Sequence, residues 1–507
     1  MTSGQLALAA MLTVLITSVL DAEDFAGLIC PQPQSASLAE SLVLAERGGA
    51  LALAWRGKEP PPPAVDEGRR LLARRLADIG ARKTTMSVGA GAVTFTINAD
   101  ALKGLLKTAG ARRSVSPAVL RQAYAVEVKA DGGKASATVT AADGLGAYYA
   151  AVTLCQMVSA DGSGRIVLPA GKIVDWPEIA HRLSKTSITF NKPDVVESFM
   201  AWMPLMKVNQ GGIQFHGARS KQPDTNFTRN LERLLPAYSK RGTLDLIVYF
   251  CPFRGVRAKG SDGKRTGPKE GHYDFTSAEG RAAYGRLLRS FLAAGARGVQ
   301  IDYNDWASDK GMPIADVLNL ACDAIKGKYP DALVLYCPPM YGGQVYQGRA
   351  SSAMRKTLSQ APAKVWPLWT GMQTVMTRPL KAEQVRAWTT KAGRKPFLWI
   401  NRVSLGVNRE FGRAVPAAAG AHVFRGEWLP TDLGQLVEGV HLNTGNSKGY
   451  NSLSKGWKPA AMAYLSTAAD WLWNPARWKD AASARRAARF VKIMKPLLAQ
   501  AGKPAKP

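Results

Sequence analysis

Acidic residues are in short supply in this 507-residue chain: 38 Asp and Glu face 67 Lys and Arg, leaving a formal charge of +29. The cations are spread along the whole sequence rather than gathered in one block, and no zinc-finger spacing, RNP-type aromatic motif or basic zipper goes with them. A solvated basic surface is therefore expected, and no nucleic-acid partner. Cysteine is sparse as well. Cys30, Cys155, Cys251, Cys322 and Cys337 are odd in number and never in C-x-x-C spacing, so neither a structural zinc site nor a disulfide framework is expected, and they read as core residues. Only one long apolar run occurs. Leu6 to Leu20 (LALAAMLTVLITSVL) has the length of a signal-peptide core and is short for a membrane span. Residues 1–22 are expected to be a signal peptide or an N-terminal anchor. The protein is accordingly expected to be exported, periplasmic or extracellular, with residues 6–20 as the anchor if the run is retained.

What is present suits a large globular protein: nearly half the residues are hydrophobic, and the length allows two or three domains. After the apolar stretch Ser41 to Leu53, broken by Gly48-Gly49, a Pro60–Pro63 run marks a loop. Asp66 to Ile79 has helical spacing, with Leu71, Leu72, Leu76 and Ile79 on one face and arginines opposite. Val93 to Ile97, Ala123 to Val128 and Lys134 to Ala141 alternate as half-buried strands, the last two joined at Asp131-Gly-Gly133. Gly144 to Met157 completes a small α+β layer as a helix.

From His181 onward, strand-like and helical runs alternate, as in βα units around a parallel sheet. The expected strands are 184–190, 212–216, 244–250, 298–303, 332–337, 365–369, 396–400 and 439–442. Eight such units close naturally into a (β/α)8 barrel, with Pro459 to Trp473 as its last helix. Residues 480–495 form one further basic amphipathic helix, and the tail from Gly502 is expected to be disordered. In this fold the C-terminal ends of the strands carry function. Those ends present His216, Asn304-Asp305, Tyr341, Trp369, Trp399, Asn401 and Asn443. Amides, carboxylates and aromatic faces of this kind suit a neutral, polyhydroxylated ligand.

Two sets of motifs carry a resemblance. AYAVEVKADGGKASATVTAADGLGAYYAAVTLCQMV, followed by IVLPAGKIVDWPEIAHR, is similar to the non-catalytic domain that precedes the barrel in family 20 and family 84 glycoside hydrolases. LIVYFCPF, AGARGVQIDYNDW, LVLYCPPMYGG, RKPFLWIN, GVHLNTGN and AAMAYLSTAADWLWNPARW come next, in that order, and resemble the family 84 catalytic domain, that of β-N-acetylglucosaminidases including O-GlcNAcases and hyaluronidase-annotated bacterial relatives. The resemblance implies an α+β domain over residues 40–180, a catalytic barrel over 181–478 and a helix and tail over 479–507.

It also implies a reaction: retaining, substrate-assisted hydrolysis of an N-acetylhexosamine-containing glycan, with no metal or organic cofactor. The substrate's acetamido oxygen attacks C1, and two consecutive acidic residues after strand four assist. In this sequence the general acid/base falls on Asp305 and its partner on Asn304, an amide where the family has a carboxylate. His216, Tyr341, Trp399, Asn401 and Asn443 match substrate-binding positions. Asp302, two residues before Asn304, lies on the same face of a strand and reads either as compensating charge or as a buried structural carboxylate. The family's Gly-Phe-Tyr-Gly motif after strand one is absent, with Ile188 to Lys192 in its place. A carbohydrate-binding protein that has lost turnover, and a glycosidase of altered specificity for a different or anionic glycan, therefore stand beside the hydrolase reading. The oligomeric state is open.

Overall fold

The computed structural model describes residues 26–111, 115–131, 134–186, 201–215, 235–250, 275, 277–302, 314–326, 332–338, 349–373, 379–400, 426–443 and 459–501. The N-terminal run, the Gly132-Gly133 turn and the tail from Gly502 lie outside them.

The first layer is an eight-stranded mixed sheet built from β1 (Ser35–Ala45), β2 (Ala50–Trp55), β3 (Lys83–Val88), β4 (Val93–Ile97), β5 (Tyr124–Asp131), β6 (Lys134–Ala141), the short β7 (Ser159–Ala160) and β8 (Ile166–Asp175). Its order is β1-β8-β5-β6-β4-β2-β3, with β7 pairing on β8. The β5–β6 hairpin pairs antiparallel from Tyr124–Ala141 to Asp131–Lys134. Helix α1 (Pro63–Asp78) starts three residues before the expected Asp66. Proline at the first helical position gives up an N–H that no helix would use, so the proline run ends inside the helix rather than before it. α1 buries Leu71, Leu72 and Leu76. Among the elements not expected from the sequence are β3 and α2 (Ala99–Thr108), the latter capped by the Asn98 side chain, which accepts from Ala101 N at 3.0 Å. α3 (Gly144–Met157) is buried over its whole length.

Eight parallel strands then close a barrel: β9 (His181–Thr186), β10 (Gln210–Phe215), β11 (Asp245–Phe250), β12 (Gly298–Asp302), β13 (Leu333–Cys337), β14 (Val365–Trp369), β15 (Phe397–Ile400) and β16 (Gly439–Asn443). Closure is direct, with Gly439 of β16 opposite His181 and Asn443 opposite Lys185 of β9. Helices α4 (Ala278–Ala293), α5 (Ile314–Lys326), α6 (Arg349–Gln360), α7 (Ala382–Ala392), α8 (Pro459–Trp473) and α9 (Asp480–Ala501) succeed one another along the chain. The (β/α)8 expectation holds. β9, however, begins at His181 rather than Ser184, because its polar opening packs inward, with His181 half-buried and Arg182 buried. His181 packs on Trp366 and Phe397, and Arg182 gives its protons to the carbonyls of Ile179 and Lys207 and to Gln122 Oε1. A buried guanidinium whose three nitrogens all have acceptors is at home in a core strand.

The two layers are joined by a buried hub. Asp175, of the Asp-Trp-Pro motif, accepts from Gln34 N (3.0 Å), Trp473 Nε1 (2.8 Å), Tyr124 Oη (2.6 Å) and Lys207 Nζ (3.0 Å). Lys207 and Asp175 are wholly buried. Burial, then the neighbouring Asp175, pushes the Tyr124 phenol well above its usual range, so it stays protonated and donates to the carboxylate while Lys207 donates to it at 2.6 Å. Strand β8 of the first sheet, the entry to the barrel and its last helix α8 are thereby held in one arrangement.

Candidate functional site

The barrel interior has its own apolar core, in which Leu183, Ile247, Leu335, Leu368 and Phe397 meet. Alternation along each strand carries these faces upward to the C-terminal rim. Leu183 leads to Lys185, Ile247 to Tyr249, Leu335 to Cys337 and Phe397 to Trp399. The rim of the described barrel is thus more polar and more aromatic than the layer beneath it.

Lys185 is at its centre. Its Nζ stands 3.2 Å from the centroid of the Tyr249 ring and 6.0 Å from that of Trp399. A desolvated cation over an aromatic face is worth about 2 kcal/mol. The lysine fits because Gly212, opposite it on β10, has no side chain: a Cβ there would lie 3.0 Å from Lys185 Cβ and 3.2 Å from its Cα. On the other side, His441 stacks on Trp399 with ring centroids 5.6 Å apart and planes 10° from parallel. His441 is completely buried, and neither ring nitrogen has a hydrogen-bond partner among the described residues. Burial first, and Lys185 second, hold its pKa well below the ordinary histidine value. It is a neutral imidazole.

Asp302 ends β12, opposite Cys337, and is 3% exposed. It shares a face with Gly298 and Gln300. Gly298 is an interior position, since a Cβ there would meet Ile247 Cδ1 at 2.8 Å. Asp302 therefore faces the barrel interior at the rim, and the chain continues from it into Tyr303-Asn304-Asp305. Trp399 is brought beside Lys185 and His441, and Asn443 ends β16 in register with Lys185. His216 and Asn401 come directly after β10 and β15, and Tyr341 four residues after β13. Asn304, Asp305, His216, Tyr341 and Asn401 lie outside the described residues.

Lys185, Tyr249 and His441 are the residues that motif reasoning passes over. The signal that finds them is plain alternation: each sits two places past an inward-facing residue, and Lys185 is an ammonium in an otherwise buried strand. No group of three or more metal-ligating side chains occurs among the described residues, and no helix among them is long and apolar enough to cross a membrane.

Comparisons with known proteins agree with this architecture. A sequence model, glycosyl hydrolase family 20, domain 2, matches residues 29–176. Among curated proteins no sequence matches the chain. Among solved structures, CpGH84B superposes with a TM-score of 0.64 at 15% identity, covering 92% of this chain and 73% of that one. The family 20 exo-β-N-acetylglucosaminidase from Vibrio harveyi, solved in complex with N-acetylglucosamine, gives 0.57 at 12% identity, covering 95% and 79%. The family 20 β-N-acetylhexosaminidase from Streptomyces coelicolor A3(2) gives 0.52 at 15% identity, covering 93% and 97%. At these identities the likeness establishes the fold. The resemblance to family 84, with a family 20-type domain before the barrel, holds at that level.

Proposed function

We propose that this protein is a β-N-acetylhexosaminidase-like glycoside hydrolase, retaining and substrate-assisted, acting through Asp305. The observation that carries the proposal is the inward-facing carboxylate of Asp302 at the rim end of strand β12. Chain continuity puts Asn304 and Asp305 two and three residues further on, past the end of the strand on which such a barrel builds chemistry. The overall likeness to hexosaminidases of families 20 and 84 supports the same choice of substrate class.

In this mechanism Asp305 gives its proton to the leaving glycosidic oxygen while the substrate's acetamido oxygen attacks C1. The C1–O bond breaks, the aglycone leaves as an alcohol, and an oxazolinium forms. Asp305, now a carboxylate, takes a proton from water as that water attacks C1 and reopens the ring with net retention. The acetamido N–H needs an acceptor while positive charge builds. Asn304 supplies an amide oxygen, a dipole in place of a full charge. That exchange raises the barrier by about 2–4 kcal/mol, by analogy with loss of an oxyanion-hole donor. Slow turnover is the expected phenotype.

Asn304 also favours a second reading, a carbohydrate-binding protein that keeps the pocket without turnover. Hydrolysis of a chromogenic β-N-acetylglucosaminide by wild type and Asn304→Asp separates the two. The hydrolase reading expects measurable wild-type turnover, rising by about 10²-fold in Asn304→Asp. If both proteins are inert while N-acetylglucosamine raises the melting temperature, the binder reading stands instead.

A further inference from the structure

The basic helix α9 takes no part in the site above, yet it walls a second cavity. Between Gly27–Gln32 and the stretch from Arg477 to Arg486 lies a cleft of about 390 Å³, lined by Arg477, Lys479, Arg485, Arg486 and Gln32. That volume is within the range of ligand-binding pockets, about 300–1,000 Å³. The walls are fixed from behind. Asp470, buried, accepts from Gln32 N at 2.7 Å on one wall and from Arg486 Nη2 at 2.6 Å on the other. Arg489 adds bonds to the carbonyls of Leu28 and Gln156.

Arg486 is therefore neutralised, and three cations are not. Arg477, Lys479 and Arg485 are exposed, line the cleft and form no ion pair among the described residues. Three uncompensated charges converging on one preformed concavity attract a ligand with several negative groups. The cleft is also remote from the barrel rim. Trp473 O, at the end of α8, accepts from Glu178 N at 2.9 Å, three residues before β9 begins, so the chain leaves α8 at the strand-entry end of the barrel.

We propose that this cleft is a second binding site for an acidic oligosaccharide, one carrying carboxylate or sulfate groups, and that it tethers the protein to such a chain at the face opposite the rim. Among the described residues no aromatic side chain lines it, so they offer none of the stacking that single-stranded nucleic acid requires. The exposed large hydrophobics among the described residues, Met86, Val88 and Met372, are elsewhere, so the described surface around the cleft offers no apolar patch for membrane insertion. The choice of a glycan rests on the glycosidase reading of the barrel; the anion preference rests on the cleft alone.

The test is calorimetric titration of the full chain with a heparin-derived oligosaccharide and, separately, with an oligogalacturonate, at low and high salt. At least one must bind, more weakly as salt rises. Arg477→Ser/Lys479→Ser/Arg485→Ser should weaken binding about tenfold or more, while Lys492→Ser/Lys495→Ser, on the same helix outside the cleft, changes it by less than about twofold. The single variant Lys479→Glu serves if the triple variant has a lowered melting temperature. Binding of neither glycan, equal loss in the Lys492/Lys495 variant, or tighter binding of single-stranded DNA or of vesicles rich in anionic lipid overturns the proposal. Hydrolysis of the chromogenic glycoside is unchanged in the triple variant. If wild type does not hydrolyse it, the barrel reading fails while the titration still decides the cleft.

Discussion

The imidazole of His441 lies flat against the indole of Trp399, 5.6 Å between ring centres and 10° from parallel. The histidine uses neither nitrogen among the described residues, so its contribution is a flat, neutral surface that fixes the tryptophan. His441→Phe keeps that surface and removes two unpartnered buried polar atoms, and should leave stability unchanged or slightly raised. His441→Ala leaves a cavity and should cost about 2–4 kcal/mol. Urea denaturation of both variants checks this. As a positioning residue behind Trp399, His441 should also affect KM for the glycoside more in the alanine variant than in the phenylalanine one.

Gly212 gives Lys185 its place. Gly212→Ala puts a methyl 3.0–3.2 Å from the lysine's Cβ and Cα, contacts that neither strand can relieve by rotating a side chain. A loss of about 1–3 kcal/mol is expected. Lys185→Met keeps the volume but loses the ammonium over Tyr249, at a cost of about 1–2 kcal/mol. It also removes one of the two causes that hold His441's pKa down. NMR titration of His441 should show its pKa moving up, and no movement would contradict the assignment of Lys185 as its neighbouring charge.

Two barrel histidines make stability pH-dependent. Burial pushes His181 down to about 4 and His441 well below the ordinary value. Unfolded histidine titrates near about 6.5, so below that pH the unfolded chain binds more protons than the native one. Their stabilisation is complete above about pH 6.5 and drains away as pH falls, His181 accounting for roughly 3 kcal/mol by pH 4. In His441→Phe the fall between pH 6 and pH 4 should be shallower than in wild type, by up to about 1.4 kcal/mol per pH unit. Parallel curves for the two proteins would contradict it.

Asp175 is the one carboxylate shared by Lys207, Tyr124, Trp473 and the Gln34 amide. Asp175→Ala strands a buried ammonium and should cost about 3–5 kcal/mol, whereas Asp175→Leu/Lys207→Met removes both charges and should cost less than the single change. Thermal unfolding of the two variants decides. A double variant worse than Asp175→Ala would mean that the ion pair itself, rather than its satisfaction, holds the layers together.

Much of the barrel was legible because strands buried on both faces read as continuous apolar runs, such as Leu246 to Phe250 and Leu333 to Cys337. β9 was misplaced for the opposite reason: His181, Arg182 and Lys185 look like surface, and only long-range partners such as Trp366 and Gln122 make them core. β3 was missed because an exposed edge strand, Lys83–Val88, has no apolar alternation to read. At the site, ordered motifs marked Trp399, Asn443 and the Asp302–Asp305 stretch. They contained Tyr249 and His441 without giving either a role and did not reach Lys185, because the meeting of the three depends on barrel closure between β9 and β16.

The most direct measurement is the initial rate of hydrolysis of a chromogenic β-N-acetylglucosaminide and of the matching β-glucoside by wild type and Asp305→Ala. Turnover of the acetamido substrate alone, falling by about 10²-fold or more in Asp305→Ala, is the predicted result. Equal cleavage of the glucoside, or an undiminished rate in Asp305→Ala, would contradict a substrate-assisted mechanism working through Asp305.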